Sequence, residues 1–518
     1  MLISLMESNI KMEYDIIFIM GETFFDHPLC GIAILKRLLE KYGYSVGVIE
    51  MPKNDQDVKK LGKPRLFFGI SSGSIDSMVR NYTPLKKLRK DDKNLNYSNC
   101  NEFVPDRAVV VYSNWVKKNF KDSIIVTGGT EATLRRFVHY DYWENRLRKP
   151  VIFDARANIL VYGNAEKQIL EIADRIKNKK PLTNIAGTCL INKEIPDKDN
   201  FIELPSYEDV LNSKEKFCDM QNLLDNTKNL AQKIDTRYLL QFKSPKYYSE
   251  DLDEYYELPF TRKVFSKHLR GFEFSVVTHR GCIGECNFCA LALIQGKKII
   301  SRSEESILKE IEKITKLPNF RGNIDDLSAP SVNMYGMDCG KCNKSCIECA
   351  QLDKSNKRAI NLLKKARQIK GVKNIYLKSG VRFDLASPEY IKEVVTHHIY
   401  DTLRVAPEHV NKNVLKLMNK NKGDIDLFIK QFNSLKTNKQ LSFYFMTAHP
   451  GSSMKEAKEL AKALKSLKNA ETVQVFTPTP MTFSTCMYYT GIDPKTKNKV
   501  YVPYTYSEKK MQKRIIFS

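Results

Sequence analysis

The sequence predicts an α/β protein in which an N-terminal parallel sheet is followed by a partial (β/α)6 TIM barrel. Two observations carry this prediction. Short apolar strands alternate with amphipathic helices in both halves of the chain, and a charged, tyrosine-rich segment separates the two halves. With 518 residues the chain is too long for one core of usual size, so we expect two or three domains.

The first half, residues 1–194, has the pattern of a parallel sheet covered on both faces. Strands are predicted at 14–21, 45–51, 65–73, 123–129 and 157–164, and helices at 29–43, at 106–120 and from Glu166 onward. We therefore expect a Rossmann-like domain. The glycine-rich strand ends at Gly21, Ser71–Gly73 and Gly128–Gly129 should lie together at its ligand-binding edge.

Residues 195–270 lack clear periodicity, and we expect an ordered connector that lies over the surface. The alternation resumes in residues 271–495, with strands predicted at 272–278, 323–330, 374–380, 401–409, 441–451 and 472–480. Helices between them begin at recognisable caps, such as Ser387-Pro388 and the capping box Ser453/Glu456. Repeats of this length suit a partial barrel, whose active site would lie at the carboxyl ends of the strands. Residues 496–518 form a C-terminal tail.

The chain is basic, with 84 Lys and Arg against 60 Asp and Glu and a formal charge of +24. This balance permits attraction to nucleic acid, but the lysines are spread along the chain, which favours a compositional bias. No apolar run approaches the ~20 residues that a membrane helix requires, and the N-terminus lacks the order of a signal peptide. We therefore expect a cytoplasmic protein without a membrane partner, and nucleic acid is the alternative partner.

Seven of the twelve cysteines fall into two tight groups. The first is C-x3-C-x2-C on a glycine-rich loop after the first barrel strand: Cys282, Cys286 and Cys289. The second is C-x2-C-x3-C-x2-C in an insert at 331–354: Cys339, Cys342, Cys346 and Cys349. In a cytosolic protein, clustered cysteines indicate metal or redox chemistry rather than disulfides.

The two groups differ in the number of ligands that they offer. The first supplies only three thiolates, so a zinc site there would require a further ligand such as His279, whereas an iron–sulfur cubane would keep one iron open. The second supplies four thiolates, enough to wrap one zinc ion or an iron–sulfur cluster. Free thiols without a metal are the alternative, which this spacing disfavours.

The spacing C-x3-C-x-aromatic-C after the first strand of a six-repeat barrel resembles the signature of the radical S-adenosylmethionine (SAM) superfamily. Longer stretches are similar to its YgiQ-type family: FFGISSGSIDSMVRNYTPLKKLRKDD, GGTEATLRRFVHYDYW, THRGCIGECNFCALALIQGKKIISRSEESIL, SAPSVNMYGM, RVAPEHV and YFMTAHPGSS. The resemblance covers the chain from about residue 14 to 490. That family has no assigned reaction, so the resemblance implies no substrate.

The resemblance implies that the three-cysteine loop holds a [4Fe-4S] cluster whose open iron chelates the amino and carboxylate groups of SAM. It implies reductive cleavage of SAM to methionine and a 5′-deoxyadenosyl radical, which abstracts hydrogen from an unknown substrate. This chemistry requires a strongly reducing electron donor of the flavodoxin or ferredoxin type. The four-cysteine group would then hold an auxiliary cluster or, as the alternative, a structural zinc ion.

Residues at or near strand ends are the candidates for contacts with SAM. By position they are Phe288, Asp326, Ser379, Arg382, Arg404, Glu408 and Gly451. For each charged residue the alternative is a salt bridge at the barrel rim. Arg382 and Glu408 are the leading candidates. Phe288 would shield the cluster or stack on a ligand, and Gly451 would let the backbone approach the adenine.

The N-terminal sheet resembles the cobalamin-binding Rossmann domain that several radical SAM families carry. The cobalamin signature D-x-H-x-x-G supplies a histidine to cobalt. In this chain Asp26 directly precedes His27, and Gly31 follows four residues later, so the histidine is one place out of register. We therefore do not expect cobalamin as a cofactor, because cobalt ligation by His27 is disfavoured, although base-off binding without a protein ligand stays open.

Three functions follow from these observations. The favoured one is a radical SAM enzyme that acts on an unknown substrate. The second is a subclass of the first, radical modification of tRNA or another nucleic acid. The third is a non-enzymatic, zinc-stapled adaptor for nucleic acid or protein, which predicts zinc at both cysteine groups, no iron and no binding of SAM.

Overall fold

The computed structural model describes residues 13–89, 104–264, 271–339, 342, 345–467 and 472–516. The strands of the first half are β1 Ile16–Met20, β2 Val46–Glu50, β3 Phe67–Ser71, β4 Ile124–Gly128, β5 His139–Asp141, β6 Arg146–Arg148, β7 Ile159–Val161, β8 Thr188–Asn192, β9 Ile202–Leu204, β10 Leu230–Ile234 and β11 Arg237–Gln241. Its helices are α1 Gly31–Lys41, α2 Ser77–Asn81, α3 Ala108–Asn119, α4 Gly129–Leu134, α5 Val151–Ala155, α6 Glu166–Lys177, α7 Tyr207–Asn212, α8 Lys214–Leu223 and α9 Ser249–Tyr256.

The second half has shorter strands. They are β12 Val276–Val277, β13 His279–Arg280, β14 Ile300–Ser301, β15 Asn323–Ile324, β16 Leu327–Ser328, β17 Asn374–Ile375, β18 Thr402–Glu408, β19 Gln440–Thr447 and β20 Thr472–Val475. The helices are α10 Leu291–Gln295, α11 Glu304–Thr315, α12 Lys357–Arg367, α13 Pro388–His397, α14 Lys412–Leu417, α15 Ile425–Ser434, α16 Met454–Ser466, α17 Phe483–Thr490 and α18 Tyr506–Ile516.

The first half is built on a nine-stranded sheet in the order β2-β1-β3-β4-β7-β8-β11-β10-β9. The strands β2, β1, β3, β4 and β7 are parallel. Successive side chains of β1 point to opposite faces, so that Ile17 and Ile19 pack into one apolar core while Ile16 and Phe18 pack into another. Both faces of the sheet are therefore covered, as the continuous apolar strands of the sequence predict.

The segment predicted as a connector, residues 195–270, differs from that prediction. It contributes β9, β10 and β11 to the sheet of the first half, with β10 and β11 forming an antiparallel hairpin. The hairpin turns at Asp235, whose φ is +52°. Charged residues such as Lys233 interrupt the apolar pattern of these strands, which hid them from a search for periodicity. Residues 265–270 of the predicted connector lie outside the described part of the chain.

Apart from the antiparallel pair of β13 and β14, the strands of the second half pair in parallel with their neighbours. β12 pairs with β16, β15 with β17, β18 with β19, and β19 with β20. An isolated parallel bridge between Val381 and Val405 joins the segment after β17 to β18. Helices α11, α12, α13, α15 and α16 pack against these strands in one apolar core. The helix caps agree with the sequence, because the side chain of Ser387 accepts from Tyr390 N and the capping box of Ser453 and Glu456 is formed.

The C-terminal tail carries the helix α18, which packs against α16. The side chain of Gln512 accepts a hydrogen bond from Ala448 N at 2.9 Å and donates one to Ser452 O at 2.7 Å. The tail thus closes on the carboxyl end of β19 instead of extending from the fold. Across the described ranges, no helix has both the length and the apolar character needed to span a membrane.

Candidate active site

The three-cysteine loop follows β13 and precedes α10, next to the first parallel strand of the second half. Its conformation depends on Gly281, whose φ is +90° and whose Cβ, if present, would lie 1.8 Å from Lys298 O. Asn287 ties the loop to α14, since its N donates to Met418 O at 2.9 Å and its Nδ2 to Leu417 O at 2.8 Å. Ser484 N on α17 donates to Asn287 O at 2.9 Å. The loop is therefore held from both sides.

The cysteines of this loop lie in a site that desolvates thiolates. Cys282 is buried, and Cys286 and Cys289 are partly buried. Burial and then the neighbouring Cys286 raise the pKa of Cys289 to about 12, and burial also raises the pKa of Cys282. Because metal ligands must be deprotonated, a bound metal would be the group that keeps these thiols as thiolates at neutral pH.

A cation stands beside the loop. The Nη1 of Arg382 donates to the Sγ of Cys286 at 3.3 Å, and its Nε donates to Asp384 Oδ1 at 2.9 Å. Burial lowers the pKa of Arg382, but Asp384 and the thiolates outweigh burial and raise it, so the guanidinium stays charged. Gly284 makes room for this contact, because a Cβ there would lie 2.1 Å from Arg382 Nη1. The sequence-predicted Arg382 thus lies against the cysteine loop.

Glu408, at the end of β18, combines three unusual features. Its φ is +69°, it is 5% exposed, and its Oε2 has no hydrogen-bond partner among the described residues. Its Oε1 lies 3.5 Å from the Nζ of Lys420. Burial raises the pKa of Glu408, although Lys420 and Arg382 act against it. A strained, buried and half-satisfied carboxylate is typical of a functional position.

The other sequence-predicted residues divide into two sets. Asp326 accepts from Lys378 N at 2.8 Å and from Ser379 Oγ at 2.9 Å, so these two candidates satisfy each other. Phe288 packs edge-on against His449 with ring centroids 6.4 Å apart. Arg404 is exposed on β18. Gly451 has a φ of +90° and would place a Cβ 2.4 Å from Leu417, so packing within the protein already requires glycine there.

The four-cysteine group lies close to the first group. Cys346 packs into the same apolar cluster as Cys282, with Cys339 and Cys349 at its edge, whereas Cys342 is exposed. The Nζ of Lys298 donates to the Sγ of Cys346 at 3.1 Å. Within the described ranges, no three His, Cys, Asp or Glu side chains lie close enough together to hold one metal ion. Residues 340, 341, 343 and 344 of the insert lie outside those ranges.

A cavity of about 490 Å³ lies between the two halves of the chain. The carboxyl edge of the nine-stranded sheet lines one side with Glu22, Gly73 and Gly128–Gly129, and the other side includes His279 and Ser379. Arg280 and Glu166 form an ion pair of 2.7 Å across this junction. The predicted glycine-rich edge thus faces the second half of the molecule. Within the described part, the Nε2 of His279 has no hydrogen-bond partner.

His27 does not line this cavity, and it is fully buried. Its Nδ1 accepts from Leu29 N at 3.1 Å and its Nε2 lies 3.0 Å from Glu273 O. Burial and the charge of Arg262 lower the pKa of His27 to about 3. Both ring nitrogens are therefore used in packing the turn after β1, and His27 does not fit the role of a cobalt ligand.

Sequence reasoning missed several residues of the site. Lys420 is one of many lysines in the chain, Asp384 gains a role only because it pairs with Arg382, and Glu166 gains one through Arg280 in the other half of the chain. The hydrogen bond from the side chain of Asn287 to Leu417 O on α14 also joins residues 130 positions apart in sequence. No fixed spacing in the sequence marks any of these residues.

Comparisons with known proteins place these features in a family context. The chain matches the Radical SAM N-terminal family over residues 4–274, the Radical SAM superfamily over 276–464, and a domain of unknown function, DUF3362, over 471–517. A UPF0313 protein of Methanocaldococcus jannaschii is 43% identical over 97% of this chain and 89% of its own length. A UPF0313 protein of Fusobacterium nucleatum is 39% identical over 97% of this chain and 95% of its own.

Solved structures share the fold at low identity. The radical SAM methyltransferase TsrM from Kitasatospora setae, solved with tryptophan and a SAM analogue, matches with a TM-score of 0.56 and 12% identity, over 92% of this chain and 77% of that one. The cobalamin-dependent SAM radical enzyme OxsB, solved with aqua-cobalamin, matches with a TM-score of 0.51 and 11% identity, over 91% of this chain and 55% of that one. TsrM has also been solved with cobalamin and a [4Fe-4S] cluster.

Proposed function

Because the chain belongs to the UPF0313 family of the radical SAM superfamily, we propose that it is an enzyme whose Cys282, Cys286 and Cys289 hold a [4Fe-4S] cluster that binds SAM. The single observation that carries this assignment to named residues is the contact of 3.3 Å between Arg382 and Cys286. It places a permanent cation against a loop of three buried or partly buried thiols. The non-enzymatic adaptor has no comparable support.

The donor set fits such a cluster. Three cysteines offer three thiolates and leave a fourth iron for a non-protein ligand, which a closed zinc site would not do. A reduced cluster held by these three cysteines would supply the one electron needed for cleavage of SAM to methionine and a 5′-deoxyadenosyl radical. The protein's own part is to fix the loop through Asn287 and Ser484, and to bury the cysteines from water.

The charged residues around the loop have separate roles in this proposal. Arg382 neutralises thiolate charge and is itself oriented by Asp384. Glu408 supplies a carboxylate oxygen that has no hydrogen-bond partner in the described part of the chain and is suited to the ribose hydroxyls or the ammonium of SAM, while Lys420 anchors the other oxygen. Asp326 and Ser379 position two neighbouring strands through their mutual hydrogen bond.

We assign the finer fold in the same way. The parallel pairs β12–β16, β15–β17, β18–β19 and β19–β20 support a partial (β/α)6 barrel at 271–495, and the β2-β1-β3-β4 order supports a Rossmann-like first domain. The hairpin β10–β11 extends that domain past residue 194. The four-cysteine group is assigned an auxiliary cluster or zinc, beside the first group.

In this proposal, cobalamin can bind only without His27 as a ligand to cobalt. The fold relatives TsrM and OxsB bind it, and this chain has a cavity at the carboxyl edge of its nine-stranded sheet. His27 does not line that cavity, and both of its ring nitrogens are engaged. Cobalamin held there would therefore lack His27 as a ligand to cobalt, and nothing else in the proposed function depends on it.

The test uses protein reconstituted with iron and sulfide without oxygen. We expect the electron paramagnetic resonance spectrum of the reduced wild type to change when SAM is added, because SAM joins the cluster. Cys286→Ala should lose that change, whereas Cys346→Ala, a matched variant in the second group, should retain it. A spectrum insensitive to SAM in the wild type would contradict the proposal.

A further inference from the structure

A second concave site lies away from the cysteine loop. It is a cleft of about 600 Å³ formed where β5, the loop after α2, α17 and α18 meet. Of the eleven described residues that line it, six are tyrosines and three are lysines. The whole chain has only 25 tyrosines in 518 residues, so this cleft gathers them far beyond chance. No Asp or Glu occurs among the described lining residues. We name it the tyrosine–lysine cleft.

Part of this tyrosine cluster has an ordinary structural role. Tyr140, Tyr142 and Tyr488 are almost fully buried and belong to the core of the first half. That role does not account for Tyr504 and Tyr506, which are 52% and 44% exposed at the mouth of the cleft. Exposed aromatic rings beside a concave surface are available to stack on a flat ligand.

Lys509 gives the cleft a buried positive charge. It is 3% exposed, and its Nζ donates hydrogen bonds to the hydroxyls of Tyr488 at 2.6 Å and Tyr142 at 3.1 Å. No carboxylate within the described ranges forms an ion pair with it. Burial, then the charge of Lys86, lowers the pKa of Lys509 to about 8, while Glu508 acts to raise it. A buried ammonium without an anionic partner attracts an anionic ligand.

The rim adds further cations. Lys86 and Lys214 line the cleft and are exposed. The segment 495–514, which supplies Tyr504, Tyr506 and Lys509, has seven basic residues, one acid and three tyrosines. Basic residues interleaved with aromatic residues are typical of surfaces that bind single-stranded nucleic acid, where bases stack on rings and phosphates pair with cations. A duplex would not offer its stacked bases to these rings.

The cleft is also connected to the cysteine loop. Ser484, near the start of α17, contacts Asn287 of that loop, and Tyr488 lies one turn further along the same helix, about 6 Å along its axis. Aromatic contacts run in parallel, from Phe288 to His449, to Phe476 and to Tyr488, with each pair of ring centroids between 5.0 and 6.4 Å apart. A continuous series of packed side chains therefore joins the cleft to the candidate active site.

We propose that the tyrosine–lysine cleft binds single-stranded nucleic acid, with bases stacked on Tyr504 and Tyr506 and phosphates held by the three lysines. This site concerns binding and does not depend on the radical chemistry. It selects an unpaired strand over a duplex and over a free nucleotide, because the exposed rings and rim lysines extend beyond the space of one base.

The test measures fluorescence anisotropy of short labelled RNA and DNA strands, about 12 nucleotides long, with the reconstituted full chain. We expect both strands to bind more tightly than the matched duplex. Replacing Tyr504 and Tyr506 together by Ala should weaken binding at least about tenfold. Tyr400→Ala serves as the control, since Tyr400 is 80% exposed outside the cleft and should leave affinity unchanged.

The lysines have their own readouts. The paired change Lys86→Gln and Lys214→Gln should make the dependence of log affinity on log salt shallower by about 1.4, at about 0.7 for each phosphate contact with a single strand. Lys392→Gln, which changes an exposed lysine on α13, is the control.

Affinity should also fall as pH rises through about 8, where Lys509 loses its proton, and Lys509→Met should remove this dependence. Lys86 and Glu508 act on that ammonium, and the surrounding hydroxyls of Tyr140, Tyr142, Tyr488 and Tyr504 have raised pKa values.

Three results would overturn the proposal. They are equal affinity for strand and duplex, cleft variants that bind as the Tyr400→Ala control does while their circular dichroism is native, and full competition by adenosine monophosphate at oligonucleotide concentrations. Formation of 5′-deoxyadenosine is measured on the same preparations. Loss of binding with intact SAM cleavage, or the reverse, separates this proposal from the proposed function.

Discussion

The guanidinium of Arg382 lies 3.3 Å from the Sγ of Cys286, although 96 residues separate the two in sequence. The strands β14 to β17 and the helices α10 to α12 lie between them in the chain and must be in place before this contact exists. It links the loop that supplies the thiols to the strand ends that surround the candidate SAM site. The first prediction follows from the charge that Arg382 brings to a cysteine sulfur.

Arg382→Gln should lower the reduction potential of the cluster on the cysteine loop. Hydrogen bonds and cations at cluster sulfurs favour the more negative, reduced state, so their removal favours the oxidised state. We expect a shift on the order of 50 mV, since a tenfold change in a one-electron equilibrium corresponds to about 59 mV. Spectroscopic redox titration measures it. Arg321→Gln is the control, because Arg321 contacts only backbone carbonyls among the described residues, and an equal shift in both variants would count against the role of Arg382.

Glu408→Gln should weaken binding of SAM by about tenfold or more, because a hydrogen bond to a charged group contributes about 1.5–3 kcal/mol. Equilibrium dialysis of the reconstituted protein with labelled SAM measures the dissociation constant. Glu393→Gln is the matched control, since Glu393 is also buried but pairs with Arg367 and His398 on the outside of the strands. Similar dissociation constants for the two variants would remove Glu408 from the SAM site.

Gly281→Ala, on the cysteine loop, and Gly296→Ala, directly after α10, form a matched pair. Both glycines have a left-handed φ, of +90° and +95°, but only Gly281 would place its Cβ against backbone, whereas Gly296 has open space. The strained φ should cost each variant roughly 1–3 kcal/mol in the free energy of unfolding, and the clash should cost Gly281→Ala about 1–3 kcal/mol more. Urea unfolding measures the difference, and iron content should fall only in Gly281→Ala. Equal losses would mean that the loop relaxes around Lys298.

Glu166→Ala should strongly destabilise the protein, because it leaves the guanidinium of Arg280 buried without its carboxylate partner. Breaking a buried pair from one side costs about 3–5 kcal/mol. Glu257→Gln, which removes an exposed ion pair with Lys309, should change the free energy of unfolding by less than about 1 kcal/mol. Thermal and urea unfolding compare the two variants. A small effect at Glu166 would mean that the two halves do not depend on this junction.

Much of the fold could be predicted from the sequence, because local patterns determine it. The alternation of apolar strands and helices can be recognised from short stretches of sequence. The cap at Ser387 and the capping box at Ser453 likewise involve residues only three positions apart. The resemblance to a radical SAM family is confirmed by the family matches and the UPF0313 relatives. The motif spacing alone predicts the cysteine loop as the candidate site, since its three cysteines are neighbours in sequence.

The remainder depends on contacts that no local pattern records. The strand β10 is interrupted by Lys233, so its place in the sheet is set by its neighbours instead of by its own periodicity. The partners Glu166 and Arg280 come from different halves of the chain, as do Tyr142 and Lys509. Lys420 supports Glu408 only after α14 has packed beside the cysteine loop. Such pairs become visible when the chain is folded.

The central claim, that the cysteine loop supports reductive cleavage of SAM, has one direct measurement. Protein reconstituted without oxygen is reduced with dithionite, SAM is added, and 5′-deoxyadenosine is quantified against a variant with Cys282, Cys286 and Cys289 replaced by Ala. We predict product from the wild type and none from the variant. No product from the wild type, together with zinc instead of iron at both cysteine groups, would contradict the claim.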